Sequence, residues 1–181
     1  MNDVADFGLR MESIPSISLN MNIDSLLNDS EVVGRKQDIK KIVNLLISSS
    51  NQHVISVLPI VGMAGIGKTT LAKLVYNNEQ IKKHFDVLAW VNVSKNFDVE
   101  GILREILKSL REEDLSYLEY DEVREICAEI LGAKKYLFIL DDVQNEDPNK
   151  WDTLKGCLLE FNSNTGNNIV ITTRSDNCRG I

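Results

Sequence analysis

Apolar positions along this chain follow two spacings, one helical and one of short, nearly continuous runs. Over residues 38–47 the apolar side chains Ile39, Ile42, Val43, Leu45, Leu46 and Ile47 fall at helical spacing, which predicts an amphipathic helix. Residues 54–61 form an apolar run that reads as a buried strand, and a glycine-rich turn follows it directly. A helix is predicted over 71–76, a second strand over 87–93, and two further helices over 99–110 and 121–131. The run 136–140 predicts a third strand, which ends on Asp141 and Asp142. Asp147 and Pro148 read as an N-cap followed by a first-turn proline, opening a helix to about Phe161. A fourth strand over 168–173 ends at Arg174. Strands alternating with helices predict an α/β fold, with a mostly parallel sheet wrapped by helices on both faces. Residues 1–30 are rich in Asn, Ser and Asp and keep no apolar period, so they read as a linker before a folded unit over 31–181. No internal repeat is visible.

Composition narrows the function classes. The 181 residues are 43% hydrophobic and 26% charged, as in a soluble globular domain with a sizeable core. The net charge is −7 and the pI about 4.9, which argues against nucleic acid as a partner. The lysine pairs Lys40–Lys41, Lys82–Lys83 and Lys134–Lys135 have acidic residues nearby in sequence and read as solvated helix faces and strand ends. The longest apolar stretch, 54–67, contains Pro59 and several glycines and is too short to span a bilayer, so no direct membrane contact is expected of this segment. Cys127, Cys157 and Cys178 make an odd number without a CxxC, far in sequence from both histidines. Neither a disulfide framework nor a zinc site is indicated, and a reducing, cytoplasmic setting fits.

Gly62-x4-Gly67-Lys68-Thr69 is a P-loop pattern lying between a predicted strand and a predicted helix. Such a match arises by chance in roughly one chain in a hundred of this length, and the flanking elements make chance a poorer account still. Glycines let backbone N–H groups turn around phosphate oxygens, and the helix N-terminus adds positive potential. The candidate phosphate contacts are Gly65, Ile66, Gly67, Lys68, Thr69 and Thr70; Lys68 would reach the β/γ-phosphates and the Thr69 hydroxyl would hold Mg²⁺. A dinucleotide fingerprint is excluded, because Thr70 stands where its third glycine or alanine should be. Asp141 and Asp142, after an apolar strand, read as a Walker B pair. Asp141 is the candidate magnesium ligand, and Asp142, with Lys68, the candidate catalytic group that orients or activates water. Arg174, at the tip of the next strand, is a candidate sensor of the γ-phosphate. Asn149-Lys150-Trp151-Asp152 matches the guanine-reading N-K-x-D pattern, but it follows a polar loop rather than an apolar strand and reads as the first turn of a helix.

Five ordered motifs carry a family resemblance. Val33-Gly34-Arg35, then 62–70 (GMAGIGKTT), 85–94 (FDVLAWVNVS), 137–143 (LFILDDV) and 168–175 (NIVITTRS) together resemble the NB-ARC domain of plant NLR disease-resistance proteins, over about residues 30–175. The Ala-Trp-Val-x-Val-Ser block is similar to the coiled-coil subclass, although Gln144 stands where that subclass has Trp. The resemblance implies the strand order of STAND and AAA-type ATPases: P-loop strand, an intervening strand and Walker B strand side by side. A fifth strand usual in the class would fall beyond Ile181. It implies an ATP/ADP switch with Mg²⁺: ADP-bound and closed at rest, ATP-bound when triggered, with self-association confined to the full-length activated protein and contacts to the receptor's other domains. Val33 and Arg35 would lie against the adenine, and Arg174 falls on the family's sensor arginine. The family's Gly-Leu-Pro-Leu and Met-His-Asp segments are not in the sequence, so a nucleotide-binding subdomain without its lid is the expectation.

Two other readings remain. A metabolic P-loop ATPase or small-molecule kinase would need an acceptor pocket and a lid arginine pair, and neither is visible. A degenerate module that no longer cycles nucleotide is disfavoured by intact Lys68, Thr69 and Asp141. Hydrolysis is expected to be slow at most.

Overall fold

The computed structural model describes residues 35–48, 53–93, 97–111, 117–144 and 147–175. The expected linker at 1–30 and Val33 lie outside the described residues.

The elements run α1 (Lys36–Ser48), β1 (Ile55–Val61), α2 (Lys68–Tyr76), α3 (Glu79–His84), β2 (Val87–Asn92), α4 (Val99–Arg111), α5 (Tyr120–Leu131), β3 (Tyr136–Val143), α6 (Pro148–Phe161) and β4 (Asn167–Thr173). All strand pairs are parallel, in the order β1-β4-β3-β2. β4 therefore lies between the P-loop strand and the Walker B strand, as the family strand order requires. β4 is buried along its whole length and β3 almost so, which suits central parallel strands covered on both faces. β1 and β2 flank them and are only partly buried.

Alternate residues of the sheet feed two cores. Leu58, Ile60, Leu137, Ile139 and Val170 pack with Ile42, Val43 and Leu46 of α1, Leu71, Ala72 and Val75 of α2, and Ile81 of α3. On the opposite face Phe138, Leu140, Ile169 and Ile171 pack with α4, α5 and α6, where Leu103, Leu107, Cys127 and Leu158 are fully buried. Trp151, 1% exposed, anchors α6 there and lies 4.7 Å from Phe97, ring centre to ring centre.

Predicted elements and observed ones agree in kind and differ at their ends. β3 continues past Leu140 to Val143, because Val143 pairs with Thr173 after a register irregularity. α2 begins at Lys68, three residues before its apolar period. The short helix α3 was not predicted. α6 begins as expected: the Asp147 side chain accepts from the Asn149 N–H at 3.0 Å, with Pro148 in the first turn. The N-K-x-D match occupies that first turn. Lys150 there donates to the Phe97 carbonyl at 3.2 Å, a tie to the neighbouring loop.

Candidate nucleotide site

The site forms where β1, β4 and β3 all end. β1 hands the chain to α2 on one face, while β3 hands it to α6 on the other. Ligands of open parallel sheets collect beyond the carboxyl ends of strands whose connections diverge in this way.

Gly62 N–H donates to the Thr173 carbonyl at 3.2 Å, which ties the start of the loop to β4. Gly65 (φ 76°) and Gly67 (φ 89°) both adopt the left-handed backbone, and Gly67 is the N-cap of α2 without any side-chain cap. A side chain at either position would strain that backbone. The uncapped helix N-terminus is left with unpaired N–H groups that favour an anion. Lys68 opens the helix and is only 8% exposed. Its ammonium donates to the Met63 carbonyl of the same loop at 2.9 Å. Burial holds its pKa below the usual lysine value; Arg174 adds to that, and Asp142 and Asp141 oppose it.

Asp141, 5% exposed, stands opposite the loop. The Thr69 hydroxyl reaches its two carboxylate oxygens at 2.9 and 3.1 Å. Thr172 Oγ1 donates to Asp141 Oδ1 and accepts from the Asp142 N–H at 2.9 Å, so one hydroxyl of β4 orients both acids of β3. Sequence reading passed over Thr172. Its signal was a polar residue inside an apolar strand, immediately before the tip. Asp142 has φ 54°, which an aspartate tolerates better than most residues. Its carboxylate accepts from Gln144 Nε2 at 3.1 Å and lies 3.9 Å from Arg174 Nε.

The structure therefore brings together Lys68, Thr69, Asp141, Asp142 and Arg174 at the carboxyl end of the sheet. Thr70 lies half-buried in the first turn of α2. Arg35 packs against the loop: its Nη2 donates to the Ile66 carbonyl at 2.6 Å, and its buried Nη1 has no hydrogen-bond acceptor but lies 3.8 Å from Asp38 Oδ2. The donor set fits a magnesium nucleotide. A nearly buried lysine whose ammonium donates to a loop carbonyl, beside a helix start without a side-chain cap, suits phosphate oxygens. A hydroxyl and a carboxylate in contact suit a hard cation that takes oxygen ligands.

The profile of the NB-ARC domain family matches residues 35–180. This chain belongs to the NB-ARC family. Disease resistance protein RGA2 of Solanum bulbocastanum is 36% identical over 172 residues, which cover 93% of this chain and 17% of that protein. A putative disease resistance RPP13-like protein of Arabidopsis thaliana is 33% identical over 160 residues, covering 87% of this chain and 15% of its own length. The chain thus spans a small part of the relatives it matches. Two solved structures share the fold: Cdc6p from Pyrobaculum aerophilum (TM-score 0.58, 22% identity, 83% of this chain and 44% of that one), and Drosophila ORC bound to DNA (TM-score 0.53, 13% identity, 91% and 48%). As an NB-ARC domain of the plant disease-resistance type, the chain is a P-loop NTPase module, and the metabolic alternative falls away. Nucleotide binding follows from that fold and family. Among the described residues no helix is long and apolar enough to cross a membrane.

Proposed function

We propose that the chain is the nucleotide switch of a cytoplasmic plant immune receptor, ADP-bound at rest and ATP-bound when triggered, with Mg²⁺ as its metal. The observation that carries this reading is the convergence of Lys68, Thr69 and Asp141, a buried cation facing a hydroxyl–carboxylate pair. Magnesium, when bound, screens the phosphate charge and acts as a Lewis acid. Thr69 and Asp141 hold it, Asp141 directly or through water. Lys68 exchanges the Met63 carbonyl for phosphate oxygens, and the N–H groups of residues 65–70 complete the cradle. Val33 and Arg35 cap the base, and Nη1 of Arg35, which has no hydrogen-bond acceptor and only a 3.8 Å ion pair with Asp38, supports a polar contact there. Arg174 contacts the γ-phosphate. Asp142 orients the attacking water, and because aspartate is one methylene shorter than the glutamate many such ATPases use, hydrolysis is slow.

Positioning supplies most of what a protein gives to phosphoryl transfer, and an ångström lost costs on the order of a hundredfold. Turnover is therefore expected well below the roughly 1–100 s⁻¹ of kinases. The nucleotide released on denaturing purified protein should be ADP or ATP. Lys68→Ala should bind both sharply less well in calorimetry; wild-type ADP affinity in that variant would refute the site.

A further inference from the structure

Asp142, Gln144 and Arg174 form a polar cluster beyond the phosphate loop, and Gln144 in it has no part in the proposed nucleotide contacts. Asp142 is the one non-glycine residue with positive φ among the described residues. It sits where β3 loses register with β4, between Leu140 and Val143, and its N–H is fixed by Thr172. The direction in which its side chain leaves the sheet is thereby set by the backbone. One carboxylate oxygen, Oδ2, accepts the Gln144 amide at 3.1 Å. The other, Oδ1, faces Arg174 Nε at 3.9 Å, with side chains 46% and 59% exposed. Gln144 and Arg174 line one depression, together with Val143, Thr173 and Ser175.

We infer that Asp142 competes with the terminal phosphate of a bound triphosphate for Arg174, and that Gln144 is the positioning residue that turns Asp142 toward the arginine. The trio then sets the preference for triphosphate over diphosphate. This rests on the proposed reading of the site as an ATP/ADP switch. A guanidinium is always charged, so in the diphosphate state it takes the carboxylate as its partner. A triphosphate must draw it away, and the observed selectivity is the difference between the two contacts. The diphosphate leaves the pair intact. An exposed pair at this distance is weak, so its effect on selectivity is about two- to fivefold. The Gln144 amide adds no charge; it restrains the carboxylate that would otherwise rotate into solvent.

The test is calorimetry on the whole 181-residue chain with MgADP and with a slowly hydrolysed magnesium ATP analogue. Asp142→Asn should raise the preference for the triphosphate about two- to fivefold. Gln144→Ala should raise it less. Gln144→Glu offers Arg174 a second carboxylate and should lower it. In an Arg174→Ala background none of these changes should move the ratio, because coupling is lost with the shared partner. An unchanged or lower ratio in Asp142→Asn, or the same rise without Arg174, would overturn the inference. Should Asp142→Asn fail to fold, the two Gln144 variants decide by the opposite signs expected of them. A wild-type chain that binds neither nucleotide would overturn the reading of the site and this inference with it; binding with a ratio insensitive to Asp142 would overturn this inference alone.

Discussion

Lys68 is held at a position that costs stability. The residue is only 8% exposed, its ammonium donates to the Met63 carbonyl, and among the described residues no carboxylate is in direct contact with it. A buried charge without close compensation is destabilising, and apolar replacements of similar volume are often neutral or better. Lys68→Met should therefore raise the melting temperature of the nucleotide-free chain, by about 2–4 °C for each kcal/mol recovered, while abolishing nucleotide binding. A lower melting temperature in differential scanning calorimetry would show that the ammonium is better compensated than its contacts suggest. The two acids should separate by role. Asp141→Asn removes the carboxylate that Thr69 and Thr172 both contact, and should weaken the magnesium dependence of nucleotide binding. Asp142→Asn should lower single-turnover hydrolysis about a hundredfold, the low end of general acid–base contributions. Hydrolysis at the wild-type rate would remove Asp142 from the water-positioning role.

At the scale of elements, α6 shows why the N-K-x-D match carries no base-reading role. Asn149, Lys150, Trp151 and Asp152 are set by the first helical turn after Asp147 and Pro148. Trp151 points into the core, Lys150 is tied to the Phe97 carbonyl, and Asp152 is exposed. Trp151→Ala should cost about 3–5 kcal/mol, the range for deleting a large buried aromatic, measured by urea unfolding. Asp152→Ala should leave the preference for adenine over guanine nucleotide unchanged. Element types were legible because the apolar spacing is strong in α1, α4, β3 and β4. The helix α3 was not, since Ile81 is its single buried residue and one position makes no period. Its signal lay in Asn78, whose side chain caps the helix by accepting from the Gln80 N–H at 2.9 Å. The end of β3 was also missed, because pairing of Val143 with Thr173 depends on a strand thirty residues away in sequence, which no local pattern reports.

Across the whole molecule, the sheet couples the site to both cores. Leu137 and Ile139 pack on one face and Phe138 and Leu140 on the other, so the strand that carries Asp141 and Asp142 is held from both sides. Ligand bound at its end should stabilise the entire unit. At a hundred times its Kd, MgADP should add about 2.7 kcal/mol, or about 5–10 °C in melting temperature. Chelating the magnesium should shrink the shift, and a shift confined to a partial transition would mean that the two faces unfold separately. What the sequence by itself determined was the alternation of strands and helices, the P-loop, the acid pair and Arg174, because each is written in local spacing and residue type. What only the tertiary structure decided was who meets whom. The order β1-β4-β3-β2 inserts β4 between the two motif strands. That insertion brings Thr172 onto Asp141 and Arg174 within reach of Asp142. Such meetings join residues about thirty or more apart along the chain, and they arise from burying both faces of the sheet at once rather than from any local preference.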